Sequence, residues 1–130
     1  MSEAQVRRYW QDFWTDGHLE FARDFYADPF FLNDQERTPA QFEAGAAAFR
    51  SHFSDFEVTV DRVFAWEDVV VTRAVFHAKH VGDFETVPAT GKPIELTGLD
   101  VFRFQDGLVV EHLHEADHER MWEQLGVALG

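Results

Sequence analysis

The stretch Gly98–Gly126, GLDVFRFQDGLVVEHLHEADHERMWEQLG, decides how the chain folds. It reads as a strand, a tight turn at Asp106-Gly107, a second strand and a closing helix, with Asp117 as N-cap and Gly126 beyond its end. The hairpin is apolar, yet it carries Asp100, Arg103, Glu111, His112 and His114. Buried polar groups are costly unless paired, so the stretch is either a solvated edge or the wall of a site. Register decides which. A two-residue loop at Asp106-Gly107 places Asp100 and His114 on opposite faces. A three-residue loop, with Gly107 left-handed in a bulge, places Asp100, His112 and His114 on one face.

Upstream of the hairpin the period is also two. FEVTV alternates Phe56, Val58 and Val60 against Glu57 and Thr59, and VVVTRAVFHAKHVG is a long strand after a turn at Trp66-Glu67-Asp68. VPATGKP is a loop marked by proline and glycine. Earlier still the period is helical. Val6, Trp10, Phe13 and Trp14 predict a first helix over residues 3–15, ended by Gly17. A shorter helix carries Leu19, Ala22, Phe25 and Tyr26 and stops before Pro29, and DPFFLNDQER follows as a loop or short strand. Thr38-Pro39-Ala40-Gln41 is a capping-box start for a third helix that buries Phe42, Phe49 and Phe53. Its small-residue patch EAGAAAF permits close packing.

Helices first and a strand meander afterwards predict an α+β fold rather than a parallel α/β one. The last strands are apolar on both faces. One face is expected to meet the helices and a cavity, and the other a partner, for which a homodimer is the economical solution.

The 130 residues suffice for one domain, 1–130, with its own core. The absence of cysteine excludes disulfides, thiolate nucleophiles and cysteine-based zinc sites. A net charge of −13 argues against nucleic acid and against anionic membranes, because a binder must neutralise phosphates with clustered Lys and Arg. No apolar run has the length of a membrane span or follows a basic segment, so a soluble cytoplasmic protein is expected.

Several motifs together resemble a known family. They are VRRYWQDFWTDGHLEFARDFYADPFFLN, the strand–loop set H-x-G-x-F…P-x-T-G at His80, Gly82, Phe84, Pro88, Thr90 and Gly91, the hairpin G-x-D-x-x-R-F-x-D-G-x-x-x-E, and the terminal EQLG. The chain resembles, over almost its whole length, the SnoaL-like polyketide cyclases of the nuclear transport factor 2-like superfamily. The resemblance implies a cone-shaped α+β barrel, with N-terminal helices packed on a curved, mostly antiparallel sheet around one deep pocket, commonly as a dimer. It also implies an intramolecular aldol closure without metal or cofactor. By the same resemblance the family's general acid/base, an Asp, falls at His114, and its partner His falls at Asp100. The two residue types are exchanged in this chain.

His114 and Asp100 are therefore the candidate catalytic pair. Imidazole supplies a base near neutral pH, and a carboxylate on its other nitrogen fixes the tautomer; the alternative is a rim pair that merely satisfies itself. His80, which matches a family His, either bonds a substrate oxygen or holds the neighbouring loop, and His77 lies on the opposite strand face by parity. Asn33 aligns with a family Asn near the pocket and can orient an enolate oxygen or form a turn. Arg73 and Arg103 can hold a substrate carboxylate or pair internally with Glu111 or Asp100. Tyr9, Trp10, Trp14 and Tyr26 belong either to the core or to an aromatic pocket mouth. Asp117 reads as a helix cap, and Glu119 and Glu123 as solvated positions. A zinc set of His112, His114, His118 and Asp117 is conceivable by donor count, but no metal is expected.

The expectation is a cofactor-independent cyclase acting on a hydrophobic carbonyl substrate. Its alternatives are an isomerase or an epoxide or ester hydrolase on a small apolar substrate, and a non-catalytic ligand-binding protein.

Overall fold

The computed structural model describes residues 2–82 and 88–126. Phe84 of the H-x-G-x-F motif lies outside them. Helix α1 (Ser2–Arg8) runs on without a break as two π-type turns over Tyr9–Thr15, closed by Asp16 N–H to Gln11 O at 2.8 Å and by Gly17 at φ +77°. Wider turns of this kind recur at functional sites. Here they turn Tyr9, Trp10 and Phe13 together into the core, where all three are buried.

The second helix is shorter than its apolar spacing predicts. A 3₁₀ turn over Leu19–Phe21 leads into α2 (Ala22–Phe25), and Tyr26 already adopts extended backbone and opens strand β1 (Tyr26–Leu32). The segment DPFFLNDQER is thus a hairpin. β1 turns through Asn33 and Asp34, both left-handed, into β2 (Gln35–Arg37). The capping box forms as read: Thr38 Oγ1 accepts from Gln41 N–H at 3.1 Å, and Gln41 Oε1 accepts from Thr38 N–H at 2.9 Å, at the head of α3 (Pro39–Arg50). Phe42 and Phe49 pack inward from α3, whereas Phe53 belongs to the next strand.

Four long strands follow: β3 (Phe53–Trp66), β4 (Val69–His80), β5 (Pro93–Gln105) and β6 (Leu108–Ala116), before α4 (His118–Gln124). The curved sheet has the order β2-β1-β6-β5-β4-β3, antiparallel except for the parallel pair β1 and β6. The helices cover its concave side, where Tyr9, Phe13, Phe25, Tyr26, Phe30 and Phe102 form the centre of the core. The resulting α+β fold holds a cavity between the helices and the concave face of its curved sheet, as the resemblance implied.

The decisive hairpin resolves its register in a third way. Gln105 pairs with Leu108 across a two-residue turn in which Asp106 and Gly107 both have positive φ, the backbone that matches strand twist. A bulge then intervenes between the pairs Phe104↔Val109 and Arg103↔Glu111, leaving Val110 as the extra residue. Beyond it the ladder runs Phe102↔His112 and Asp100↔His114. One inserted residue reverses the facing of everything after it, so Asp100, His112 and His114 all point inward.

Candidate active site

The cavity holds about 280 Å³ between the π turns that follow α1, the end of β1, α3, the start of α4 and the concave face of β4, β5 and β6. Its walls are largely aromatic and aliphatic, including Trp10, Trp14, Phe42, Phe49, Phe76 and Leu96. The polar groups gather at one end: Asn33, Asp100, His112, His114 and His118. The lining residues include no Lys or Arg. An apolar pocket with a few convergent polar groups is the usual form of a small-molecule site.

Asp100 is the centre of that polar end. It is 1% exposed, and its Oδ2 lies 2.6 Å from His112 Nε2 and 2.8 Å from His114 Nδ1. Burial pushes its carboxyl up, but the two imidazole hydrogen bonds outweigh burial and hold it below the usual carboxylate range. Asp100 is therefore ionised and acceptor-only, so both histidines donate to it. Burial pulls His112 below the ordinary imidazole range despite Asp100, which keeps it neutral. Burial pulls on His114 as well, yet the hydrogen bond and charge of Asp100 prevail and raise it. With Nδ1 committed to Asp100, His114 retains Nε2 as its basic nitrogen.

Neighbouring groups fix these rings. Tyr26 Oη lies 2.8 Å from His112 Nδ1. Asn33 braces β6 twice, donating its N–H to His112 O at 3.0 Å and accepting His114 N–H on Oδ1 at 2.8 Å. Its side-chain NH₂ is left as a donor beside the cavity. Tyr9 and Trp14 both line the cavity and bond each other at 2.9 Å.

The remaining sequence candidates are placed elsewhere. His80 is fully buried but does not line the cavity. Its Nδ1 meets Thr90 Oγ1 at 2.9 Å and accepts Thr90 N–H at 3.2 Å, so it holds the loop. Gly82 fits the same construction, since a Cβ there would meet Ser51 O at 3.0 Å. The expectation of substrate contact by Arg73 and Arg103 is corrected by strand parity. Both stand on the outer face, Arg73 3.5 Å from Asp61 and Arg103 3.1 Å from Glu111. His77 is on that face too, 3.8 Å from Glu95. Asp117 caps α4 by accepting Arg120 N–H at 3.0 Å, which removes it from a metal set with the histidines.

Asp100, His112 and His114 bring donor atoms within 4.8 Å of one another, the spacing of a possible metal cluster. Both facing ring nitrogens are already taken up by the same carboxylate oxygen, at 2.6 and 2.8 Å, so a metal would have to displace two hydrogen bonds. Sequence reasoning left the facing of His112 open with the hairpin register, gave it no role, and counted Tyr26 first as core. Neither the bulge nor the tyrosine bond has a local sequence signal.

Comparisons with known proteins identify the family. A family model for the SnoaL-like polyketide cyclases matches residues 4–125. The aklanonic acid methyl ester cyclases DauD of Streptomyces sp. (strain C5) and DnrD of Streptomyces peucetius are each 28% identical over 116 residues. The match spans 86% of this chain and 71% and 79% of theirs. IdmH of Streptomyces antibioticus superposes with a TM-score of 0.85 at 28% identity, over 98% of this chain and 99% of its own. TsrD of Streptomyces laurentii shares the fold at a TM-score of 0.88 and 23% identity, over 98% and 96% of the two chains. Matched by the family model over nearly its whole length, the chain belongs to the SnoaL-like polyketide cyclases.

Proposed function

We propose that this protein is a cofactor-independent polyketide cyclase that closes a ring by an intramolecular aldol reaction on a neutral, hydrophobic carbonyl substrate. The observation that carries the reading is the 2.8 Å Asp100–His114 bond at the polar end of an otherwise apolar cavity. His114 Nε2 takes an acidic C–H proton, and the electron pair moves into an enolate. The enolate carbon attacks a carbonyl carbon of the same molecule, a C–C bond forms, and the new alkoxide recovers the proton from His114. No electrons enter or leave. Asp100 holds the base in its tautomer and stabilises the imidazolium that forms. The Asn33 NH₂ is the donor for the developing enolate oxygen, and Tyr9 and Trp14 belong to the wall that folds the substrate on itself. His80, Arg73 and Arg103 take no part.

The test is turnover of a polyketide ester bearing an acidic methylene in water enriched in oxygen-18. A cyclase gives a ring product without label from the solvent. Label in a newly cleaved ester or epoxide would replace the reading with hydrolysis by the same base, and an unchanged bound ligand would replace it with a carrier.

The working unit in this proposal is a cytoplasmic homodimer. No helix among the described residues is long and apolar enough to cross a membrane. On the convex face of the sheet, Phe64, Val71, Val101 and Leu113 fall in register as one apolar row across β3, β4, β5 and β6. Phe64, Leu113 and the adjoining Leu99 are exposed. A continuous apolar row with charged rows beside it is what a self-complementary interface requires.

A further inference from the structure

Asp100, His112 and His114 bring two imidazole nitrogens and a carboxylate oxygen together. His112 Nε2 and His114 Nδ1 converge on Asp100 Oδ2 at 2.6 and 2.8 Å, and the three atoms lie within 4.8 Å of one another. Among the described residues no other group of three such donors comes together. Zinc bonds of about 2.0 Å at tetrahedral angles hold their donors about 3.3 Å apart. Each contact therefore needs to open by about half an ångström to seat an ion between the rings and the carboxylate.

The surroundings suit such an ion. The side chains of His112 and Asp100 are 3% and 1% exposed and that of His114 is 36% exposed, and all three line the cavity. Three protein donors with a remaining position toward a cavity is the form of an exchangeable zinc site rather than a closed structural one. Two imidazoles and one carboxylate favour zinc and its transition-metal neighbours over magnesium and calcium, which take oxygen ligands. A metal-bound imidazole is normally held by a bond at its other nitrogen. His112 has that bond, since its Nδ1 lies 2.8 Å from Tyr26 Oη. A hydroxyl both gives and accepts, so the contact survives when the ring proton moves from Nε2 to Nδ1. Asn33 braces the strand backbone at both histidines, accepting His114 N–H on Oδ1 and donating its own N–H to His112 O.

We propose that Asp100, His112 and His114 form an inhibitory site for a zinc-class divalent cation, whose binding silences the catalytic base. The proposal rests on the reading of His114 as the base. An ion on His114 Nδ1 sends that nitrogen's proton to Nε2, the atom that must be bare to take a proton from substrate. The ion also takes up the Asp100 oxygen that orients the imidazole. Each ring keeps one proton, moved from one nitrogen to the other, and no electrons are transferred. Two hydrogen bonds are replaced by three coordinate bonds. The same three side chains serve either as a base with its carboxylate or as a metal site, never as both at once.

The test uses the whole protein cleared of metal with EDTA, with Zn²⁺ as the probe and Mg²⁺ as the control. Isothermal titration calorimetry should give one Zn²⁺ per chain and no response to Mg²⁺. Nitrogen-15 NMR of the loaded protein should show His112 coordinated through Nε2 and His114 through Nδ1. Turnover of the polyketide ester should fall in step with zinc occupancy and return with EDTA. Tyr26→Phe should weaken zinc binding by about 10–100-fold, as loss of a ligand's outer partner does, and His112→Gln should abolish binding at the cluster. Absence of stoichiometric binding, zinc shifts confined to other histidines, or unchanged or increased turnover in the loaded enzyme overturns the proposal. If neither variant folds, the wild-type spectrum and turnover decide. Zinc seated on the cluster of an enzyme whose turnover ignores His114→Ala would remove the proposed reaction and leave the cation site. Turnover that needs His114 but is untouched by zinc would do the reverse.

Discussion

At the scale of single residues, the pair Asp100–His114 makes a signed prediction about pH. His114 must be neutral to accept a proton, and Asp100 raises its proton affinity above that of ordinary imidazole. The acid limb of kcat/KM, which reports the free enzyme, should therefore lie above the ordinary histidine value of about 6.5. Asp100→Asn removes the charge, so the limb should move to lower pH while the maximum falls. An unmoved limb would mean that another group titrates there. Stability carries the opposite sign at the carboxylate. Asp100 is held below its unfolded value, so its contribution is present above about pH 4 and is lost as pH falls through the depressed folded value. His114, the neutral chemistry of imidazole and the need for an orienting carboxylate were all legible in the sequence. The role of His112 was not, because it depends on Tyr26, which lies 86 residues away and was counted first among core aromatics.

At the scale of the element, one residue in β6 decides whether a site exists. The Asp106-Gly107 turn was legible because only certain residues accept two successive positive φ values. The bulge at Val110 was not, since an extra valine in an apolar strand has no chemical mark. Strand parity does the rest: with Val110 paired instead of left as the extra residue, the ladder would run flush from the turn and direct His112 and His114 outward and Leu113 into the cavity. Deleting Val110 removes the bulge yet keeps the pairs Phe102↔His112 and Asp100↔His114, so such a variant should retain turnover, with the sheet unchanged in far-ultraviolet circular dichroism. A loss of the about 10²–10⁴-fold that general-base catalysis supplies would show that the site depends on the bulge itself and not on this register. The π turns of α1 were equally invisible, because helical spacing of Val6, Trp10, Phe13 and Trp14 is compatible with either winding. The capping box of α3 was fully legible, since both of its bonds are local to four residues.

At the scale of the whole molecule, α+β order and a covered concave face followed from the change of period along the chain. The convex face makes the remaining prediction. Its apolar row, Phe64, Val71, Val101 and Leu113, crosses four strands, with Phe64 and Leu113 exposed at its ends. Light scattering coupled to gel filtration should give twice the chain mass of 15.1 kDa. Leu113→Glu should shift it to monomer, because a charge facing its own copy across a two-fold axis cannot be solvated. A monomer in the wild type would leave that row to another partner.

The most direct test of the central claim is proton exchange at the substrate's acidic carbon. Wild-type enzyme in deuterated water should introduce deuterium at that carbon or cyclise with a primary isotope effect, and His114→Ala should slow both by about 10²–10⁴-fold with an unchanged fold. Exchange at the wild-type rate in His114→Ala would contradict the account, since the proton would then be leaving to some other base.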